Sequence, residues 1–150
     1  LTLTQLKLSG GTAGSGGAML SDSAALTLNG CVFDDNVATD GDGGAVRADG
    51  GNVTILGGGF LGNNASQYGG AVRAAGASSN VTDSVFDGNT AQLSGGALLG
   101  GNGTDITVNG CKFDNNTVME YGGEIAASSM TFGGNTQLSN NWADGNGGAV

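Results

Sequence analysis

The stretch GGAVRADGGNVTILGGGFLGNNASQYGGAV, residues 43–72, contains one full copy of the pattern that decides the fold. It begins and ends with Gly-Gly-Ala-Val, and a Phe-x-x-Asn motif begins inside it at Phe60. The Gly-Gly motif occurs six times in the chain, with first glycines 27, 26, 26, 27 and 25 residues apart. A nearly constant period of this length is typical of solenoids, in which each repeat stacks on its neighbours.

Both motifs recur in a fixed phase along the whole chain. The Gly pairs begin at Gly16, Gly43, Gly69, Gly95, Gly122 and Gly147, and the Phe-x-x-Asn motifs begin at Phe33, Phe60, Phe86 and Phe113. Leu138 replaces Phe in a fifth copy, and LKLS from Leu6 reads as a degenerate sixth. Alternating stretches rich in Val, Ile and Thr precede the Phe motifs, which predicts two or three short strands per repeat and no helix.

The sequence therefore predicts an all-β fold, a right-handed parallel β-helix of about six coils of ~26 residues each. Stacking would place equivalent residues of successive coils in columns. One apolar column would contain Phe33, Phe60, Phe86, Phe113 and Leu138. A ladder of side-chain amides would contain Asn36, Asn63, Asn89, Asn116 and Asn141. A second apolar column would contain Met19, Val46, Val72, Leu98, Ile125 and Val150. The Gly pairs would supply positive φ and close backbone approach at a corner, where Glu124 indicates contact with solvent.

Composition limits the classes of partner. The chain has 150 residues, 32 of them Gly, with no Pro and no His, and its net charge is −9 with only four Lys and Arg. A nucleic-acid surface needs clustered cations, so no nucleic-acid partner is expected. No apolar run reaches the length of a membrane span, so the chain is not expected to span a membrane itself. Because it begins at Leu1 and stops within a motif, we interpret residues 1–150 as a single β-helix segment, an excerpt of a longer repeat protein.

The alternation of Gly-Gly-Ala-(Ile/Leu/Val) with Phe-x-x-Asn resembles the repeat of the chlamydial polymorphic outer membrane proteins, and similar repeats occur in other bacterial and algal surface proteins. The resemblance implies a β-helical passenger that an autotransporter barrel displays on the cell surface, where it acts in adhesion. It implies an extracellular or cell-surface location, in the outer membrane if the source is bacterial. The adhesion-motif residues carried over are Gly43, Gly44, Ala45, Val46, Gly69, Gly70, Ala71, Val72, Gly95, Gly96, Ala97, Leu98, Phe33, Asn36, Phe60, Asn63, Phe86, Asn89, Phe113 and Asn116.

Outward aspartates on neighbouring coils raise the alternative that the chain is an enzyme. Asp34, Asp87 and Asp114 follow the column phenylalanines and should point outward, and Asp87 and Asp114 lie on neighbouring coils. Two carboxylates about 5 Å apart are the pair that a retaining glycosidase uses. The position also holds Leu61 and Ser139, and Asp is common in turns, so solvated turns are the preferred interpretation.

Other charged and aromatic residues have both a functional and an ordinary interpretation. Arg47 and Arg73 occupy matching positions, as a polysaccharide lyase would require, or they are exposed charges that balance an acidic surface. The run DGDGG at residues 40–44 hints at calcium but lacks the full loop pattern, which favours a longer acidic loop. Tyr68, Tyr121 and Trp142 are predicted at corners, where they would stack on sugars or pack locally.

The cysteines test the register of the repeat. Cys31 and Cys111 each lie two residues before a column Phe, where the intervening coils have Gly58 and Ser84. This register separates them by three coils, about 14 Å, so no disulfide can join them and both are predicted to be buried free thiols. Asn-x-Ser/Thr sequons, which are glycosylation candidates if the source is eukaryotic, begin at Asn52, Asn64, Asn80, Asn102 and Asn115.

The sequence favours a non-enzymatic extracellular repeat module that acts as an adhesin or binding stalk, with no catalytic residues, cofactor or metal. Its partner would be a cell-surface receptor or glycan, or neighbouring copies in a surface assembly. A purely structural component of a cell-surface fibre or wall is one alternative. A β-helical polysaccharide lyase or hydrolase is the other.

Overall fold

Four ladders of parallel strands build the protein. The computed structural model describes residues 1–22, 24–76, 78–123, 125–145 and 147–148, so Glu124 and Val150 lie outside the described residues. Every strand pairs in parallel with the equivalent strand one coil away, which is the arrangement predicted for a parallel β-helix. Each coil contributes to four ladders, where the sequence predicted two or three strands, because the segment before each Phe bends into two halves.

The first and second ladders share two long strands. The first contains β1 (Thr2–Thr4), the first halves of β5 (Leu26–Asp34) and β8 (Val53–Leu61), β11 (Ser78–Thr82), β15 (Asp105–Asn109) and β19 (Ser129–Gly133). The second contains β2 (Lys7–Ser9), the second halves of β5 and β8, β12 (Val85–Asp87), β16 (Lys112–Asp114) and β20 (Gln137–Ser139).

The third and fourth ladders complete each coil. The third contains β3 (Thr12–Ala13), β6 (Val37–Ala38), β9 (Asn64–Ala65), β13 (Thr90–Ala91), β17 (Thr117–Val118) and β21 (Trp142–Ala143). The fourth contains β4 (Met19–Asp22), β7 (Val46–Asp49), β10 (Val72–Ala75), β14 (Leu98–Gly100) and β18 (Ile125–Ala126). The first three ladders each contain six strands, so the chain makes five complete turns from the first strand of a ladder to its last.

The phenylalanine column is confirmed. Phe33, Phe60, Phe86 and Phe113 are all fully buried, and their rings are stacked with centroids 4.6–5.0 Å apart and interplanar angles of 4–7°. Leu138 pairs with Phe113 and extends the column. At the other end the prediction was wrong by two residues, because Leu8 and not Leu6 pairs with Phe33. Leu6 and Leu8 both fit an alternating pattern, and only Leu8 points inward.

The asparagine ladder is confirmed, with all side-chain donors and acceptors of Asn63 and Asn89 used. The side-chain amide of Asn63 donates to Oδ1 of Asn89 at 2.9 Å and to the carbonyl oxygen of Phe33 at 3.1 Å. Its own Oδ1 accepts from the backbone N–H and the side-chain amide of Asn36. Asn89, Asn116 and Asn141 continue the same pattern. A buried side-chain amide is stable here because the adjacent coils supply hydrogen-bond partners for its donors and acceptors.

The two glycines of each pair have different structural roles. Gly43 has φ of 65°, in the left-handed region, and starts the corner. A Cβ on Gly44 would collide with the carbonyl oxygen of Gly70 in the next coil. The column after the pair is buried at Val46, Val72, Leu98 and Ile125 and partly buried at Met19. Within the described residues no helix is present, and none could cross a membrane.

Candidate functional site

All twenty adhesion-motif residues lie in the interior. The phenylalanines, asparagines and Gly-Gly-Ala-aliphatic segments named by the resemblance are all buried. They hold successive coils together, and a partner would contact other side chains. The surface available to a partner therefore consists of the outward residues of each ladder and of the corners between ladders.

The fourth ladder and the corner before it form the most varied surface. Strand pairing aligns an outward row of Leu20, Arg47, Arg73, Leu99 and Ala126. The residue before each Gly pair forms a parallel corner column of Ser15, Asp42, Tyr68, Ser94 and Tyr121. The row and the column run side by side along the solenoid axis.

Two arginines and two aspartates form an ion-pair cluster on this surface. Asp49 bridges both cations, with Oδ2 2.8 Å from Nε of Arg47 and Oδ1 2.6 Å from a terminal nitrogen of Arg73. Oδ2 of Asp42 lies 3.0 Å from Nε of Arg73. The arginine side chains are only 31% and 21% exposed, so the cluster is half-buried and its formal charges cancel. The prediction of two exposed charges therefore needs correction.

Asp42 is buried, although the run at residues 40–44 favoured a longer acidic loop. It is 7% exposed, because the corner turns it towards Arg73. Its Oδ1 has no hydrogen-bond partner among the described residues, and the N–H of Arg73 Nε is not aligned for a hydrogen bond with Oδ2 although the two atoms are 3.0 Å apart. Within the described part of the chain, no group of three His, Cys, Asp or Glu side chains has an arrangement that would hold a metal ion.

A cleft of about 350 Å³ adjoins the cluster. Tyr68 and Ser94 line it from the corner, Arg73 and Leu99 from the outward row, and residues 100–102 from the end of β14 and the turn that follows. Tyr68 is 37% exposed, so one aromatic side chain, one aliphatic side chain and several polar groups face the same space. A volume of this size lies at the lower end of the range of small-molecule sites.

The outward aspartates are held by neighbouring donors. Lys112 Nζ lies 2.9 Å from Oδ2 of Asp114, and the Ser139 hydroxyl and the Asn140 amide donate to its Oδ1. The ion pair with Lys112 and these donors hold the pKa of Asp114 below its usual range. Asp87 pairs with Asp114 in register and accepts a hydrogen bond from Asn115. A glycosidase acid needs a raised pKa, and the environment of Asp114 has the opposite effect.

Both cysteines are buried free thiols, as predicted. Cys31 pairs with Gly58, and the backbone N–H of Ser84 lies 3.5 Å from Sγ of Cys111, which confirms the predicted register. Burial raises the pKa of the Cys111 thiol, which keeps it in the unreactive protonated form.

The aromatic residues and the sequons are placed as follows. Tyr68 and Tyr121 lie at corners, but Trp142 lies in β21 of the third ladder, paired with Thr117 and 53% exposed. The corner prediction for Trp142 was wrong because the residue after each ladder asparagine begins the third ladder and points outward. The five sequon asparagines are all exposed: Asn52, Asn64, Asn80, Asn102 and Asn115.

Sequence reasoning missed the partners of the arginines. Asp42 and Asp49 lie five residues before and two residues after Arg47, and only the coil register brings both to Arg73. Leu99 carried no functional motif, and Asn102 was singled out only as a glycosylation candidate. The usable signal was the alignment of the repeats on the Gly pairs, which places Leu99 beside Arg73 and Ser94 beside Tyr68.

A family model described as a right-handed beta helix region matches residues 1–150. This family includes both adhesin-like proteins and polysaccharide-degrading enzymes. Comparison with curated proteins finds no match, and comparison with solved structures finds none either. The match agrees with the ladders described above, and the resemblance to the chlamydial repeat stays a prediction.

Proposed function

The chain belongs to the right-handed β-helix family, and from that premise we propose that it is a non-enzymatic extracellular module that binds glycans. The observation that carries the proposal is the cleft beside Tyr68, where an aromatic side chain meets a neutralised arginine–aspartate cluster. The exposed sequons and the resemblance to surface-protein repeats support an extracellular or cell-surface location.

The cleft chemistry favours uncharged sugars over acidic ones. Asp42 and Asp49 already neutralise Arg47 and Arg73, and the chain as a whole has a charge of −9. An anionic polysaccharide would approach against this charge without a free cation to bind it. Sugar hydroxyls can instead hydrogen-bond to the Ser94 hydroxyl and the Asn102 amide and accept from the Arg73 guanidinium, while a sugar ring packs on the face of Tyr68.

A weak single site becomes useful through repetition. One cleft of this size holds one or two sugar rings, so we expect modest affinity from it alone. Several copies of the module on one surface would present several such clefts to a polymeric glycan and gain apparent affinity without new contacts, because each further binding event is intramolecular. This mechanism suits an adhesin or binding stalk.

Titration calorimetry against a panel of neutral oligosaccharides tests the proposal, with Tyr68→Ala and Asn102→Ala as variants. Each should weaken binding by about tenfold, or ~1.4 kcal/mol. Tyr121→Ala is the matched control, because Tyr121 occupies the same corner column two coils away and does not line the cleft. Equal losses for Tyr68→Ala and Tyr121→Ala, or no binding by the unmodified chain, would count against this site.

The enzymatic alternative is tested by turnover. Asp87 and Asp114 occupy neighbouring coils, which is why a hydrolase or lyase deserves a direct assay. We expect no degradation of neutral or acidic polysaccharides, and we expect Asp87→Asn and Asp114→Asn to bind glycans normally. If the chain degrades a polysaccharide and either substitution abolishes that activity, the chain is an enzyme and the proposal of a binding module is wrong.

The structural alternative is tested by assembly. A wall or fibre component would associate laterally or end to end, so sedimentation velocity should show concentration-dependent oligomers in the absence of any glycan. A chain that stays monomeric and binds oligosaccharides supports the binding module instead.

A further inference from the structure

Arg73 lines the cleft beside Tyr68, and the coil before it supplies two aspartates that contact its guanidinium group. Oδ2 of Asp42 lies 3.0 Å from Nε of Arg73. Oδ1 of Asp49 accepts a hydrogen bond from one terminal nitrogen, Nη1, at 2.6 Å. Leu99 pairs with Arg73 from the coil after it and lines the cleft as well. The arginine is therefore held from one coil and faces a ligand from the other.

The second terminal nitrogen of Arg73, Nη2, is the donor that the cleft can use. Within the described residues it makes no hydrogen bond, while Asp49 accepts from Nη1 and Asp42 lies beside Nε. Nε is buried, whereas Nη2 is in contact with solvent. A guanidinium group is planar, so contacts at two of its nitrogens fix the direction of the third. The two aspartates thus set the orientation of the N–H groups that a ligand meets.

Asp49 contributes more to this arrangement than Asp42, because it contacts both arginines at hydrogen-bond distance. Its Oδ2 lies 2.8 Å from Nε of Arg47, and its Oδ1 bonds Arg73. Asp42 lies close to Arg73 but 3.9 Å from Arg47. The four side chains carry two positive and two negative formal charges, which sum to zero. Without the charge of Asp49 the cluster would be a net cation beside the cleft.

We propose that Asp49 determines which sugars the cleft accepts, an inference that rests on the proposed glycan-binding function. Asp49 acts through Arg73 and is therefore a positioning residue: it holds the guanidinium group and cancels its charge. A neutral sugar needs only the N–H donors of Nη2. A carboxylated sugar binds arginine best through two parallel N–H groups, and here it would meet an arginine that is already paired and a carboxylate of its own sign. Asp49 is thus the repulsive element that excludes acidic sugars.

Asp22 gives a matched position on the same ladder. It pairs in register with Asp49 from the coil before and is exposed. Within the described residues it forms no ion pair with Arg47 or Arg73. It lies two coils, about 10 Å along the axis, from the coil of Arg73. Asp22→Asn therefore changes the net charge of the chain as much as Asp49→Asn does, but leaves the cluster intact.

Titration calorimetry with tetragalacturonate and its fully methyl-esterified form tests the proposal, because the two ligands have the same rings and differ in charge. The unmodified chain should bind the ester more tightly than the acid. Asp49→Asn should bind the acid about tenfold more tightly than the unmodified chain does, since a charge-assisted hydrogen bond becomes available. This gain should shrink as salt is added. The amide introduced by Asp49→Asn can still accept from Nη1, so the affinity for the ester should be retained.

Two further variants separate the local charge from other effects. Asp49→Glu restores a carboxylate and should restore the preference of the unmodified chain for the ester. Asp22→Asn should change neither affinity by more than about twofold, because its charge is screened at this distance. Asp49→Ala removes the same charge with a smaller side chain, and it replaces Asp49→Asn if a thermal melt shows that Asp49→Asn is unfolded.

The proposal is overturned if Asp49→Asn, folded, binds the acid no better than the unmodified chain does. An equal gain in Asp22→Asn would also overturn it, because overall charge would then be responsible. In either case, binding of neutral sugars that Tyr68→Ala weakens leaves the proposed function standing. Conversely, an unmodified chain that binds no neutral sugar, together with a gain for the acid in Asp49→Asn, supports the role of Asp49 and rejects the proposed function.

Discussion

The inside and the outside of the same strands follow different rules. Along β5 and β8 the paired inward residues Leu26 and Val53, Leu28 and Ile55, and Phe33 and Phe60 are apolar and at most 1% exposed. The outward residues change from face to face: threonine and asparagine on the first ladder, lysine–aspartate pairs on the second, and an arginine–aspartate cluster on the fourth. An inward side chain touches its equivalents above and below, so one choice fixes the others. An outward side chain touches solvent, which leaves it free to acquire a function.

The sharpest test of this contrast is the asparagine ladder. Asn89→Ala removes the acceptor for the backbone N–H and side-chain amide of Asn63 and the donor to the Phe60 carbonyl oxygen. Three buried groups lose partners at about 1–3 kcal/mol each, so we expect a loss of about 4 kcal/mol or more in the free energy of unfolding. Asn64→Ala, at an exposed asparagine beside the ladder, is the control and should change stability by less than about 0.5 kcal/mol. Chemical denaturation measures both.

The next effect in size concerns the phenylalanine column. Phe86→Ala opens a cavity between Phe60 and Phe113 and should cost about 3–5 kcal/mol. Val85→Ala, at the adjacent residue, which is 38% exposed, removes carbon atoms from the outside of the same strand and should cost under about 1 kcal/mol. Similar melting temperatures for the two variants would contradict a packed column.

A smaller effect is expected at a glycine that is required because two coils approach each other closely. Gly70 does not have positive φ, but a Cβ there would collide with the carbonyl oxygen of Gly96. Gly70→Ala must push two coils apart and should cost about 1–3 kcal/mol, as overpacking usually does. At Gly59 a Cβ would meet only ordinary contacts with Leu61 at 3.7 Å, so Gly59→Ala should be nearly neutral. A neutral Gly70→Ala would show that the corner is looser than the structure indicates.

The same contrast explains what could be predicted from sequence. Phe33, Asn36 and their equivalents repeat because stacking demands it, and a phased repeat is visible without a structure. Leu8 was misassigned because the first repeat lacks both Phe and Asn, so alternation alone could not choose between Leu6 and Leu8. Interior positions are predictable to the extent that their columns are uniform.

The outward features were harder to predict for a physical reason. Arg73 meets Asp42 and Asp49 across coils, and those contacts depend on side-chain length and corner geometry as well as on register. The threonine-rich outward row of the first ladder was overlooked because threonine is common in any strand, so each one alone carries little information. The row, which contains Thr2, Thr27, Thr54, Asn80, Thr107 and Thr131, becomes explicit only once the strands are paired.

The smallest predicted effect is a pH dependence on the outer surface. The pKa of Asp114 is lowered by its ion pair with Lys112 and by hydrogen bonds from Asn140 and Ser139. A carboxyl group with a lowered folded-state pKa contributes stability above its unfolded pKa of about 3.9, and that contribution is lost as pH falls through the folded value. The melting temperature should therefore decrease slightly when the pH is lowered below about 4. The decrease should be small because the partner, Lys112, is exposed to water. NMR titration of the Asp114 carboxyl carbon measures the pKa directly, and Lys112→Gln should move it back towards the usual value. An Asp114 pKa that Lys112→Gln leaves unchanged would show that the lysine does not hold this carboxylate in solution. This outer ion pair would then add nothing to the stability that the interior columns provide.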